Sequence, residues 1–358
     1  MPDNASARTP LVYQFDEASN WPRTMTTPSR YSKLSPLPIE EKIRLSLQAL
    51  EFFLPINFHR VSATLGRKTT AAHAISPWNA GDFINYLEKT GTFPDAQRHM
   101  FRIVDLLSEL ASGGILSAMG PTQNPLTGQS YYFMREQTAA ERKGVFWLAP
   151  ALGPQFIHHL ISSITEQVTG TDSKGDARAG TALVISPNWL LTCAHVISDM
   201  EVDAEQTLQG QSNTVVDLLT HKTIDVGLIK VSKPLIEAPG LLFSNPSVAQ
   251  TVYTLGFPRI PLSRSSALIM HKGEVTSEHL TTFQESALFL YSAIARPGNS
   301  GGPIVASSGH VVGIVTDELS EEAARQGMPF YAGVRTSEIV LAVSDLNPDI
   351  ALPVETYM

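Results

Sequence analysis

A six-residue stretch, Gly298-Asn299-Ser300-Gly301-Gly302-Pro303, constrains this chain more than any other. Its glycines and closing proline exclude a helix and hold Ser300 in a tight turn just before the short apolar run Ile304-Val305. A hydroxyl is a weak nucleophile until a base lies within hydrogen-bond reach and donors await the oxyanion formed on attack at a carbonyl. Gly298 lets such a turn aim two amides, its own and that of Ser300, at one point, while Gly301 and Gly302 clear room for a substrate. An ordinary Gly/Asn/Ser turn has the same composition, so the rest of the chain must supply the base.

Upstream, residues 180–186 read as a strand, Pro187-Asn188 as a turn, and Trp189-Leu190-Leu191-Thr192 as a second strand that leads through the small pair Cys193-Ala194 to His195. The bend at Cys193-Ala194 carries the imidazole out of the core. An imidazole used as a base needs a carboxylate to fix its tautomer. Asp225 stands at the head of the apolar strand Val226-Gly227-Leu228-Ile229, where an unpaired charge is costly. Asp199, Asp203 and Asp217 lie in polar stretches without those apolar walls.

His195, Asp225 and Ser300, in that chain order and with these flanking motifs, resemble the trypsin-like serine proteases over roughly Ile161 to Ala342. The compact spacing, the lack of a disulfide framework and the phrase Ala295-Arg296-Pro297-Gly298-Asn299-Ser300-Gly301-Gly302 are most similar to the HtrA/Deg-type bacterial branch, here without a peptide-binding PDZ domain. The resemblance implies an all-β double β-barrel with the active site in the cleft between barrels. It also implies His195 as general base and acid, Asp225 as its orienter, Ser300 as nucleophile and the Gly298 and Ser300 amides as oxyanion hole. For substrate binding it points to Ile294 as an apolar pocket floor, with walls near Val315-Thr316-Asp317 and Phe330-Tyr331-Ala332. Ile314 to Thr316 would then hold an extended peptide as an added strand, and peptides with small to medium apolar side chains are the expected substrates.

The remaining expectations come from composition. The chain has 358 residues, 43% apolar and 17% charged, enough for more than one domain. Residues 1–150 hold 15 Lys and Arg against 13 Asp and Glu; subtraction from the chain totals of 26 and 34 leaves 11 against 21 for residues 151–358. The second part is therefore acidic, which disfavours nucleic acid and membrane head groups as its partners. The polar first residues and the lack of a long apolar run predict neither export nor a membrane span, and the single Cys193, expected as a buried filler, fits a reducing cytoplasm. No His/Cys cluster or phosphate-binding glycine loop appears in the sequence, so no cofactor and no metal are expected.

Four segments are expected. Residues 1–36, rich in Pro, Ser and Thr, read as a flexible tail. Residues 37–145 read as a mainly helical regulatory domain, followed by a connecting segment over 146–160 and the protease domain over 161–358. In the helical part, Ile39 to Phe53 buries Ile43, Leu45, Leu47, Leu50 and Phe53; Trp78 to Thr90 and Asp95 to Ser112 form two further helices; Gly113 to Met134 forms a hairpin. Three helices followed by a hairpin resemble a winged-helix domain. With no Lys or Arg over residues 120–130, this domain is expected to bind a regulatory protein partner rather than DNA. The function expected is a serine endopeptidase acting on proteins or peptides and gated by that domain or a partner. Two alternatives fit the same residues: a DNA-binding winged-helix regulator with a protease-like binding module, or a partner-activated protease of a bacterial defence or stress system.

Overall fold

The structure, a computed structural model, describes residues 35–67, 76–122, 128–283, 285–316 and 330–355. The expected flexible tail, apart from its last two residues, and Asp317 lie outside these residues. The described residues divide into two compact units, one built from those between 35 and 138 with 148–156, the other mainly from those between 157 and 355 with 139–147.

The helical unit begins with α1 (Ile39–Phe53), whose first turn places Glu40 and Glu41 at the positive end of the helix dipole. A short helix that periodicity did not reveal, α2 (Phe58–Leu65), follows and ends at Gly66, where φ is 72°. The segment expected to be helical from Trp78 starts instead with the strand β1 (Trp78–Asn79), and α3 (Ala80–Thr90) begins after it. The reason is a capping box: the Asn79 side chain accepts the Asp82 amide, and the Asp82 carboxylate accepts the Asn79 amide. After a 3-10 turn, α4 (Met100–Ser112) leads to the hairpin β2 (Ser117–Pro121) and β3 (Gln129–Tyr132), giving a sheet ordered β1-β3-β2. The core is aromatic, with Phe53 packed on Phe83 and Tyr131 at centroid distances of 5.7 and 5.5 Å. On α1, Phe52 is buried, whereas Leu47 is only half-buried.

Helix α5 (Ala149–Ser162) is broken at Gly153 (φ 72°, ψ −162°), next to Pro154. Ile161, expected to open the first barrel strand, lies in the last turn of α5, because Phe156, Ile157, Leu160 and Ile161 keep a helical spacing. The first strand is β4 (Thr165–Thr171). It joins β5 (Ala177–Ser186), β6 (Trp189–Thr192), β7 (Glu201–Val202), β8 (Glu205–Leu208), β9 (Gln211–Thr220) and β10 (Gly227–Val231) in an antiparallel sheet ordered β7-β4-β5-β6-β10-β9-β8. This sheet curls without a continuous ladder between its ends. The buried side chain of Gln206, on β8, bridges the seam: its Oε1 accepts the Thr169 amide at 3.0 Å and its Nε2 donates to the Thr169 carbonyl at 2.9 Å.

The second half closes fully. Strands β11 (Thr251–Gly256), β12 (Ile269–Thr281), β13 (Ala287–Tyr291), β14 (Pro303–Ala306), β15 (Val311–Thr316) and β16 (Tyr331–Arg335) form a barrel ordered β11-β12-β13-β16-β15-β14. Val252, Val275, Phe289, Ile304, Val312 and Val315 fill its interior. The other described α-helices are the short α6 (Ala194–Ser198) and α7 (Thr336–Leu346). No described helix is long and apolar enough to cross a membrane.

Candidate active site

His195 lies in the first turn of α6, straight after the β6 strand ends at Thr192. Asp225 lies two residues before β10, which pairs with β6 so that Gly227 stands opposite Thr192. That register brings carboxylate and imidazole together: His195 Nδ1 is 2.8 Å from Asp225 Oδ2, and the His195 amide donates to Asp225 Oδ1 at 3.0 Å. The Thr316 hydroxyl, from β15 of the other barrel, donates to the same Oδ2 at 2.7 Å. Burial alone would raise the Asp225 carboxyl; the hydrogen bond and charge of His195, with the Thr316 hydroxyl and the His195 amide, outweigh it and hold it at about 2. An ionised Asp225 accepts a hydrogen bond from Nδ1–H, which leaves Nε2 of His195 unprotonated as the acceptor.

Ser300 is buried to 7% exposure in the turn ahead of β14. Asn299 donates to the Arg296 carbonyl, Gly301 to that of Val315 and Gly302 to that of Asn299, at 2.9, 2.8 and 2.8 Å. Among the described residues no backbone acceptor takes the amides of Gly298 and Ser300, the two donors expected to converge. Gly298 has φ 99° and Gly301 φ 81°, both in the left-handed region that favours glycine. A Cβ on Gly301 would stand 2.1 Å from Thr192 Oγ1, so the serine turn packs directly against the strand that delivers His195. The Val315 carbonyl ties the two sides together, accepting Gly301 N–H from the serine turn and Cys193 Sγ, at 3.1 Å, from the histidine bend.

The expected substrate residues fall in other surroundings. Val315 is 2% exposed in the barrel core and its amide donates to the Gly302 carbonyl, so β15 pairs on both sides and Val315 keeps no backbone group for an added strand. Thr316 is buried and its hydroxyl serves Asp225. Ile294 keeps 42% of its surface exposed and forms no closed floor. A cleft of about 270 Å³ lies instead against His195 and Asp225, lined also by His221, Lys222 and Ile224.

Two polar residues carry more than the sequence suggested. His221 looks like a turn residue, yet its Nδ1 accepts the Ile224 amide at 3.0 Å and its Nε2 is 3.4 Å from Asp345 on α7, bracing the loop that presents Asp225. His310 likewise pairs with Glu355 at 2.6 Å. Cys193, His195 and Asp225 offer donor atoms within 4.8 Å of one another, a spacing a metal could accept. The thiol is directed at the Val315 carbonyl and the imidazole at Asp225, so the protein itself uses these donors.

Residues 180–314 match the family model of the trypsin-like peptidase domain. They form a trypsin-like peptidase domain. The stretch contains His195, Asp225 and Ser300. Over 191 residues the chain is 31% identical to y4bJ of Sinorhizobium fredii, an uncharacterized protein; the match takes in 48% of this chain and 29% of that protein, so the chain spans less than a third of its relative's length. Among solved structures, the active form of the Rv3671c protease of M. tuberculosis aligns with a TM-score of 0.44 at 17% identity, over 56% of this chain and 86% of that one. The serine endoprotease from Yersinia pestis aligns with a TM-score of 0.43 at 17% identity, over 60% and 69%.

Proposed function

We propose that the chain is a serine endopeptidase in which Ser300 attacks the peptide carbonyl, His195 takes and returns the proton, Asp225 orients His195, and the Gly298 and Ser300 amides receive the oxyanion. The observation that carries this reading is the Asp225 carboxylate, buried and held ionised by three donors, two of them from His195. Protonation of His195 as Ser300 loses its proton creates a cation that only an ionised partner at 2.8 Å stabilises. Attack transfers the carbonyl electron pair to an oxygen that meets preset amides, and collapse expels the amine with the proton from His195, leaving an acyl ester on Ser300 that water hydrolyses. Proteins or peptides are the substrate class; Ser292 to Ala295, just ahead of the serine turn, hold no acid, so a basic side chain before the cleaved bond finds no charge partner in that segment.

The helical unit serves in this proposal as a protein-binding module that gates the peptidase. Its element order, helices followed by β1, two helices and a hairpin with sheet order β1-β3-β2, supports a winged-helix reading. On α4, Arg102 is paired with Asp105, which argues against a DNA-reading face. A fluorophosphonate probe tests the central claim: the full chain should be labelled on Ser300, and both Ser300→Ala and His195→Ala should lose the label. Equal labelling of His195→Ala would remove the base from the mechanism.

A further inference from the structure

We propose that Thr181 is the positioning residue of the oxyanion turn, an assignment that rests on the reading of Ser300 as nucleophile. Thr181 lies on β5, in the sheet opposite the serine turn, and is fully buried. All its polar groups are engaged. Its amide donates to the Ser300 carbonyl at 2.9 Å, and its carbonyl accepts the Thr192 hydroxyl at 2.8 Å. Its own hydroxyl donates to the Gly298 carbonyl at 2.7 Å and accepts the Phe257 amide at 3.0 Å. One residue thus grips the carbonyls of both residues whose amides form the hole.

That grip falls where the turn is softest. Gly298 has no side chain to restrict it and φ 99°, so rotation about its own bonds is what would turn the hole's donors away. The Asn299 side chain, next to it, adds no anchor: it is buried, and neither end of its side-chain amide finds a partner among the described residues. The Phe257 loop packs behind, with its carbonyl 2.5 Å from where a Gly298 Cβ would stand. The Thr181 hydroxyl joins the two loops by donating to one and accepting from the other, a double role that a methyl group cannot take. Gly256 leaves space for the arrangement, since a Cβ there would lie 3.0 Å from both Thr181 Oγ1 and Asn299 Oδ1.

The test uses the full chain as wild type, Thr181→Val, Thr181→Ser, Thr181→Cys and Ser300→Ala. Cleavage of a peptide, fluorophosphonate labelling and inhibition by a peptide boronic acid, which places a tetrahedral oxyanion in the hole, are measured together. Valine should lower kcat, labelling rate and boronate affinity by about 10²-fold, the effect of losing one oxyanion donor, with KM changed by less than about twofold. Serine, which keeps the hydroxyl, should restore all three to within about threefold. Cysteine, a weaker donor, covers the case in which the valine variant does not fold, and should lose about tenfold. Wild-type rates in the valine or cysteine variant, or a serine variant as slow as valine, overturn the role of Thr181 alone. A wild-type chain whose labelling does not depend on Ser300 overturns the peptidase reading and this assignment with it.

Discussion

The two units of this chain are held by different materials. Among the described residues, the helical unit buries Ser46, Ser62 and Asp82 as its polar groups and relies on Phe52, Phe53, Phe83 and Tyr131. The peptidase unit buries Thr181, Thr192, Gln206, Asn299, Ser300 and Thr316 inside its aliphatic barrels. Apolar packing tolerates exchange of similar shapes, whereas a buried hydroxyl needs a partner at a set distance and direction. Buried polar groups that are far apart in sequence and paired in space therefore mark where this molecule invests in chemistry. The Thr316 bond to Asp225 spans 91 positions and the Thr181 bond to Gly298 spans 117.

Substitutions can break that contrast at both ends. The largest effect belongs to Ser300→Ala and His195→Ala in the full chain, each expected to lower kcat for a peptide by about 10⁶-fold with the fold intact, because the pair acts as a unit. A loss below about 10³-fold, measured by cleavage and circular dichroism, would mean that other groups do the work. Asp225→Asn should cost about 10⁴-fold through the wrong imidazole tautomer. Stopped assays at several pH values check it, since a tautomer defect persists across the range in which His195 is neutral.

The helical unit should answer in stability. Phe53→Ala removes a fully buried ring and should lower the unfolding free energy of that unit by about 3–5 kcal/mol. Calorimetry should show one transition moved and the other unchanged, and the gating proposal requires the peptide-cleavage rate to change with it. A single transition that moves as a whole would merge the two units energetically.

The smallest effect is the pH response of Asp225. Its carboxyl lies below the ordinary aspartate value of 3.8, at about 2 in the folded chain, so the folded state favours the ionised form. The resulting stability, about 2 kcal/mol at 1.36 kcal/mol per pKa unit, is present above pH 3.8 and is lost as the pH falls toward 2. Acid titration of unfolding should show this slope in the wild type and a flatter one in Asp225→Asn; identical slopes would assign the acid sensitivity to other carboxylates.

The sequence made His195, Asp225 and Ser300 legible because each stands beside a local signal: a bend after an apolar strand, an acid at a strand head, a glycine-rich turn. Thr316 was read only as a substrate residue, since its carboxylate partner is settled by the barrel's register and not by any local signal. Thr181 and His221 carried no local signal at all. Their partners are Gly298 and Asp345, and no spacing rule links positions more than a hundred residues apart. In the helical unit the long helices were visible from periodicity, while the eight residues of α2 were too few to establish a period.

Gln206 gives the curled sheet an unusual kind of closure. A backbone ladder opens only by separating strands, but here the join between β4 and β8 is made largely by side chains: Gln206 holds both polar groups of the Thr169 backbone and Glu166 accepts the Gln209 amide, with the Asp203 amide adding a backbone bond to the Thr169 carbonyl. A join made this way should open before the backbone ladders on either side of it. The Thr169 amide should exchange its hydrogen with solvent well before those of the central strands β6 and β10. Such a seam lets the curled sheet adjust its girth without disturbing the register on which the His195–Asp225 pair depends.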